Sequence, residues 1–218
     1  SPAFGPDFEL PRLERFLAER FGRSDSFRCE RISGGQSNPT YFVDYGNRRL
    51  VLRKKPAGPI LKGAHAVERE YRVLQALSTT DVPVPKAVLL CEDESVLGVP
   101  FYVMERLEGR AFHDAALPEL SPPERRAVYL SMAETMAKLH AVDPDKIGLG
   151  DYGRPGNYFE RQISRWSKQW QESDGEPIPE IDALVAWLPA HLPPDDGRVS
   201  IAHGDLRREG LTLPNEPV

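Results

Sequence analysis

The chain has 218 residues, 40% of them hydrophobic and 28% charged, with a net charge of −5. That is a soluble globular composition, long enough for one large domain or two lobes, and its mildly acidic balance argues against a nucleic-acid partner held by bulk charge. No apolar run reaches the roughly eighteen residues of a membrane span and no signal peptide opens the sequence, so the expected setting is the cytoplasm, away from membranes. Cys29 and Cys91 lie far apart with no CxxC, and the five histidines show no HxxxH spacing, so neither a disulfide framework nor a metal site is predicted from them.

Residues 1–6 read as a flexible leader. Leu10, Leu13, Phe16, Leu17 and Phe21 recur at three and four, which predicts an amphipathic helix with Pro11 in its first turn and Gly22 as its stop. Phe27, Cys29 and Ile32 mark a first strand, and residues 40–43 a second. Between them, Ser33-Gly34-Gly35-Gln36-Ser37-Asn38-Pro39 reads as a hairpin. Its glycines allow backbone N–H groups to close over phosphates, and a plain tight turn fits the same residues.

Residues 49–55 form a third strand, in which alternation puts Val51 and Arg53 on one face and Leu50 and Leu52 on the other. A cation at the end of such a strand could hold nucleotide phosphates, or the strand could fray into solvent. A helix over about 65–77 carries Val67, Glu70, Tyr71, Leu74 and Leu77 along one side. Glu70 thus falls in an apolar stripe, an expensive place for a carboxylate unless a cation meets it, and Arg53 is the obvious partner. Glu68 and Arg69 read as solvated charges. Two further strands are predicted at 87–92 and 101–106, separated by a turn at Gly98, which makes a mostly antiparallel sheet with one helix across it.

Leu107-Glu108-Gly109 reads as a linker, and beyond it the pattern turns helical. Helices are predicted over 122–140, with Ser121 as cap, and over about 158–170 and 181–188. Trp166, Trp170 and Trp187 read as packing residues, and Glu172, Asp174, Glu176 and Glu180 as a solvated acidic loop. Near the end, Arg198, Val199, Ser200 and Ile201 have strand character, and His203-Gly204-Asp205 follows as a loop. A carboxylate beside a glycine turn suits a base that must meet a substrate hydroxyl; a surface turn is the bland alternative.

Five stretches in order carry a resemblance: Ile32-Ser33-Gly34-Gly35-Gln36-Ser37-Asn38, Val51-Leu52-Arg53-Lys54-Lys55-Pro56, Val67-Glu68-Arg69-Glu70-Tyr71, Phe101-Tyr102-Val103-Met104-Glu105 and His203-Gly204-Asp205. Together they resemble the aminoglycoside phosphotransferase and choline kinase-like family, in particular its branch found with acyl-CoA dehydrogenases. The resemblance implies an α+β, protein-kinase-like fold of two lobes. A leader and N-terminal helix would occupy 1–24, a small nucleotide-binding lobe 25–106, and a helical lobe with the catalytic loop 107–218, incomplete at its C-terminal end. It implies ATP bound between the lobes, by the loop holding Gly34, Gly35, Ser37 and Asn38, and by Arg53 paired with Glu70. Met104 would back the adenine pocket, and the backbone of Glu105 and Leu107 would bond the base. Asp205 would deprotonate the hydroxyl of a small-molecule acceptor.

Two departures bear on the magnesium ion that the family uses. Its pattern puts Asn at position 210, where this sequence has Gly210, and it continues to a second metal-binding Asp that has no counterpart before Val218. Phosphoryl transfer leans on metal ions to neutralise phosphate charge. The resemblance therefore implies a phosphotransferase of reduced or no activity as the sequence stands, the alternative being a non-catalytic nucleotide-binding or structural remnant of the kinase fold.

Overall fold

The computed structural model describes residues 6–32, 38–56, 66–110, 112, 114, 116–154, 156–173, 175–176, 178–195 and 197–204. They fall into two compact units. One runs up to His140 and resumes at Ala202, and the other is Ala141–Ile201.

In the first unit, helix α1 (Leu10–Phe21) is followed by strands β1 (Phe27–Arg31), β2 (Thr40–Tyr45) and β3 (Arg48–Lys54). Helix α2 (Val67–Leu77), strand β4 (Ala87–Cys91), the single turn α3 (Glu94–Leu97) and strand β5 (Phe101–Glu105) come next. The strands make one sheet in the order β1-β2-β3-β5-β4, every neighbouring pair antiparallel. A glycine at Gly22, with φ 85°, ends α1, as the sequence suggested. The turn expected at Gly98 is preceded by the short helix α3, capped by the Asp93 side chain on the Ser95 amide (2.9 Å). Periodicity cannot reveal a four-residue helix.

Alternation along the strands divides the sheet into two faces. Tyr41, Val43 and Tyr45 of β2, Leu50 and Leu52 of β3, and Phe101 and Val103 of β5 share one face, where they form a core with Leu13, Phe16 and Leu17 of α1. Phe16 meets Phe101 edge to face at 5.4 Å between centroids. The leading helix is thus a wall of the sheet, and the expected single helix across the sheet becomes two, α1 and α2.

Lys54 ends β3 on the α1 side and is 1% exposed. Its ammonium lies 2.9 Å from Asp7, just ahead of α1, and Asp7 also accepts a 2.5 Å hydrogen bond from the Tyr41 hydroxyl. This anchored, buried cation stands where the sequence left open a fraying strand end.

Helix α4 (Pro122–Ala141) follows. Ser121 stands at its start: its carbonyl accepts from Arg125, and its amide (2.8 Å) and hydroxyl (2.6 Å) both donate to the Glu124 carboxylate. Of its apolar positions, Val128 and Leu139 are buried, and Val128 packs with Phe112, Leu117 and Leu120.

The second unit holds α5 (Tyr158–Gln171), α6 (Pro179–Trp187) and a 3₁₀ turn at Leu188–His191. Here the tryptophans depart from expectation. Trp166 and Trp187 are 57% and 52% exposed. Trp187 stacks on His191 at 3.8 Å, and only the half-buried Trp170 is tied in, donating its indole N–H to Asp182 (2.9 Å). Glu172, Glu176 and Glu180 are exposed, as read, and Asp174 lies outside the described residues. The strand expected at 198–201 is not formed. A strand needs a hydrogen-bonded neighbour, none of the described strands pairs with it, and Val199 is exposed. No helix among the described residues is long and apolar enough to cross a membrane.

Burial works against the ionised form of Asp7, but the Tyr41 hydroxyl and the Lys54 ammonium outweigh it and hold the carboxyl below its ordinary 3.8. A depressed carboxyl adds stability that is complete well above that value and is lost as pH falls through the folded-state pKa. Asp7→Asn should destabilise the chain at pH 7 by about 2 kcal/mol, less than a fully buried pair because Asp7 is partly exposed. The gap should close as urea titrations are repeated below about pH 4. A gap unchanged down to pH 3 would mean that Asp7 contributes something other than its charge.

Candidate functional site

The second face of the sheet, the one beneath α2, carries the polar cluster. Register sets it up: Arg53 of β3 pairs with Tyr102 of β5, and Val51 with Met104, so these four side chains share one face. Glu70, one turn into α2, comes down onto them.

Its carboxylate is surrounded by donors. Arg53 Nε donates to Glu70 Oε2 at 2.7 Å and Arg53 Nη2 reaches Oε1 at 3.4 Å. The Tyr102 hydroxyl donates to Oε2 at 3.0 Å, and Asn38 Nδ2 to Oε1 at 2.8 Å. A guanidinium and two neutral donors thus meet the carboxylate within its apolar stripe, the condition that the sequence set for Glu70. Burial, and then the negative charge of Glu70, push the Tyr102 hydroxyl upward, so it remains a donor. Arg53 Nη1 has a 3.4 Å contact with the Thr40 hydroxyl, which in turn donates to the Asn38 carbonyl (3.0 Å).

Three consecutive cations therefore have three fates. Arg53 joins Glu70, with the two side chains 30% and 34% exposed. Lys54 turns to the opposite face and is buried. Lys55 pairs with Glu68 of α2, so Glu68 is not the freely solvated charge expected of it. The helix brings Glu68 back toward the end of β3, a proximity that sequence spacing does not reveal.

At the end of β5, Met104 is half-buried, while Glu105 and Leu107 are exposed. The Glu105 amide donates to Lys86 (2.9 Å) and the Arg106 amide to Arg49 (3.1 Å). The Arg106 guanidinium lies over the Phe42 ring, 3.9 Å from its centroid, and so caps this end of the same face.

Of the residues singled out from sequence, Asn38, Arg53 and Glu70 are thus brought into contact, with Met104 further along the same face. Gly34, Gly35, Ser37 and Asp205 lie outside the described residues. Tyr102 and Thr40 were not singled out, although two-residue alternation about Met104 and Arg53 points to Tyr102. Among the described residues no group of three His, Cys, Asp or Glu side chains could hold a metal ion. Burial pushes the Cys29 thiol up to about 12 and raises that of Cys91, so neither is a nucleophile at neutral pH.

Comparison with known proteins places this site in context. Acyl-CoA dehydrogenase family member 11 of Gallus gallus is 47% identical over 209 residues, which is 94% of this chain and 27% of the relative. Acyl-CoA dehydrogenase family member 10 of Mus musculus is 41% identical over 201 residues, 91% of this chain and 19% of the relative. The chain thus spans about a quarter or less of the length of these relatives. A solved structure from Ralstonia eutropha, provisionally named an aminoglycoside phosphotransferase, is 46% identical with a TM-score of 0.83, covering 96% of this chain and 62% of that one. The GDP complex of aminoglycoside 2′-phosphotransferase-IIIa superimposes with a TM-score of 0.66 over 95% of this chain and 68% of that one, at 18% identity, a likeness of fold. The α+β architecture is therefore that of the kinase-like phosphotransferases. The model of the phosphotransferase enzyme family matches residues 28–217, and the chain belongs to that family.

Proposed function

We propose that this domain is an ATP-dependent phosphotransferase acting on a hydroxyl group of a small molecule. The observation that carries the reading is the Arg53–Glu70 pair. A guanidinium about a third exposed is held by a carboxylate of the helix above the sheet, beside a face lined by Val51 and Met104. A guanidinium so held matches phosphate oxygens in charge and in planar geometry. Of the three cations, Lys54 is buried elsewhere, and Arg53 differs from Lys55, which Glu68 engages, in that a planar guanidinium gripped along one edge still offers N–H donors along another. The Glu105 amide already serves Lys86, so a contact from Glu105 to the base would use its carbonyl, with the Leu107 amide beside it.

ATP would supply the phosphoryl group. Asp205 would take the proton of the acceptor hydroxyl as its oxygen bonds to the γ-phosphorus, and ADP would leave. The described residues offer no donor set that fits magnesium, so no step is assigned to that ion. The family name and the GDP-bound fold neighbour both favour a nucleotide.

Calorimetric titration of the chain with ATP should give a saturable heat, and Arg53→Met should weaken the affinity about tenfold or more; it should also lower the thermal midpoint, because it leaves the Glu70 carboxylate without its cation. Arg53→Lys should fall between, since an ammonium cannot keep the two-point grip on Glu70. No heat with or without magnesium would retire the nucleotide altogether.

Position 210 offers a second test. If Gly210 withholds a metal-coordinating oxygen, Gly210→Asn should raise ATP turnover by about ten- to a hundredfold, the scale on which single groups tune metal sites. Equal rates would show that Gly210 does not limit turnover by withholding a metal ligand.

A further inference from the structure

We propose that Asn38 and Tyr102 are positioning residues that fix the Glu70 carboxylate so that it presents Arg53 to a nucleotide phosphate, and that Asn38 acts through Glu70 and does not touch the nucleotide. This rests on the nucleotide-binding reading above.

Asn38 is 2% exposed, so it has almost no surface to offer a ligand. Its amide can face Glu70 in one orientation only, because a carboxylate accepts hydrogen bonds and cannot donate them. The NH₂ end must point at Oε1, as it does at 2.8 Å, and the carbonyl end must turn away. That carbonyl oxygen, Oδ1, is buried and has no hydrogen-bond partner among the described residues. An unmatched buried acceptor is costly and calls for an explanation. Here the explanation is that the other end of the same amide is committed to the carboxylate.

Tyr102 performs the matching task on the other oxygen. It is 3% exposed, and its hydroxyl meets Oε2 at 3.0 Å. Donors from β5 on one oxygen and from Asn38, at the entry to β2, on the other fix both the position and the rotation of the carboxylate. Arg53 has one short contact to it, from Nε, and one long one, from Nη2. The plane of the guanidinium therefore follows the plane of the carboxylate, and its Nη1 edge, 3.4 Å from the Thr40 hydroxyl, is the edge left for a phosphate. Among the described residues, the hydrogen bonds connect the amide to Glu70 on α2 and, through it, to Arg53 on β3 and Tyr102 on β5. Glu68 and Lys55 are paired with each other.

The test is calorimetric ATP titration of the full chain across pH 5–8, with Asn38→Asp, Tyr102→Phe, Glu70→Gln and the Asn38→Asp/Glu70→Gln double variant. Each is compared with the unsubstituted chain at the same pH, which removes the nucleotide's own titration. Asn38→Asp sets a second carboxylate against Glu70. It should bind about tenfold more weakly at pH 8 and recover toward pH 5, where a protonated carboxyl can again donate. Tyr102→Phe should cost about threefold at every pH. In the Glu70→Gln background, Asn38→Asp should cost nothing further. An equal loss in that background would mean that Asn38 touches the ligand, and affinity indistinguishable from the unsubstituted chain at all pH values would mean that it does neither. Either result overturns the inference and leaves the nucleotide reading standing; no heat from the unsubstituted chain overturns both. Should Asn38→Asp lack a cooperative melt, Tyr102→Phe and Tyr102→Phe/Glu70→Gln complete the same cycle, with additive losses counting against the proposal.

Discussion

Two adjacent cations on one strand cannot point the same way. Alternation along β3 sends Arg53 to one face of the sheet and Lys54 to the other, and each must find an anion where it lands. Lys54 meets Asp7 and is almost wholly buried, and Arg53 meets Glu70 and stays about a third exposed. Most of the unit's architecture follows from this division. The Lys54 face is filled by α1 and the aromatic residues of β2, whereas the Arg53 face is covered by α2 along β4 and β5. A slip of one residue in β3 would exchange the two cations and turn Leu50 and Leu52 out of the core, so the pattern also pins the register.

The two pairs differ in what they contribute. Closing a charge pair into an apolar interior gains little net stability, because desolvation offsets the attraction. The Lys54–Asp7–Tyr41 group is better understood as a fastener, which ties the segment before α1 to the end of β3. The Arg53–Glu70 pair is open on one side, and an open pair loses less to desolvation while keeping its orientation. Its carboxylate takes four contacts from three side chains, more than charge neutralisation alone requires. Such a surplus of donors costs conformational freedom in each of them, so direction is what the arrangement secures.

Sequence made the strands, α1, α2 and the Arg53–Glu70 pair legible because each rests on a periodicity: two residues for β3, three to four for α2. Glu70 was conspicuous as a carboxylate inside an apolar stripe, and that conflict had one cheap resolution. The remaining contacts depend on proximity that no local period encodes. Asp7 lies 47 positions from Lys54 by sequence number and outside any regular element. In β5 the run Phe101, Tyr102, Val103 is buried on both faces, so alternation of polarity, the usual guide to which residue faces where, is absent there. Asn38 read as part of a glycine-rich turn because turns favour asparagine, and only the fold shows its amide committed to α2. The strand at 198–201 failed for a related reason: β character describes one partner, and a strand takes two. The tryptophans of α5 and α6 failed through an average, since large aromatics are buried as a class and Trp166 and Trp187 are not.

The same physics explains why the three-cation run in β3 is informative beyond its charge. With Lys54 withdrawn to the core and Lys55 held by Glu68, Arg53 is the one cation of the run that lies beside Glu70 on this face, and the plane of its guanidinium is set from behind. A lysine at position 53 would keep the charge but would replace the two-point contact of Nε and Nη2 by a single ammonium group with no plane for the carboxylate to set. Any demand for arginine at this point would thus come from Asn38 and Tyr102 as much as from the proposed ligand. It is imposed from within the sheet: the strand that supplies the cation and the strand that supplies the tyrosine are hydrogen-bonded neighbours, paired residue for residue at this position.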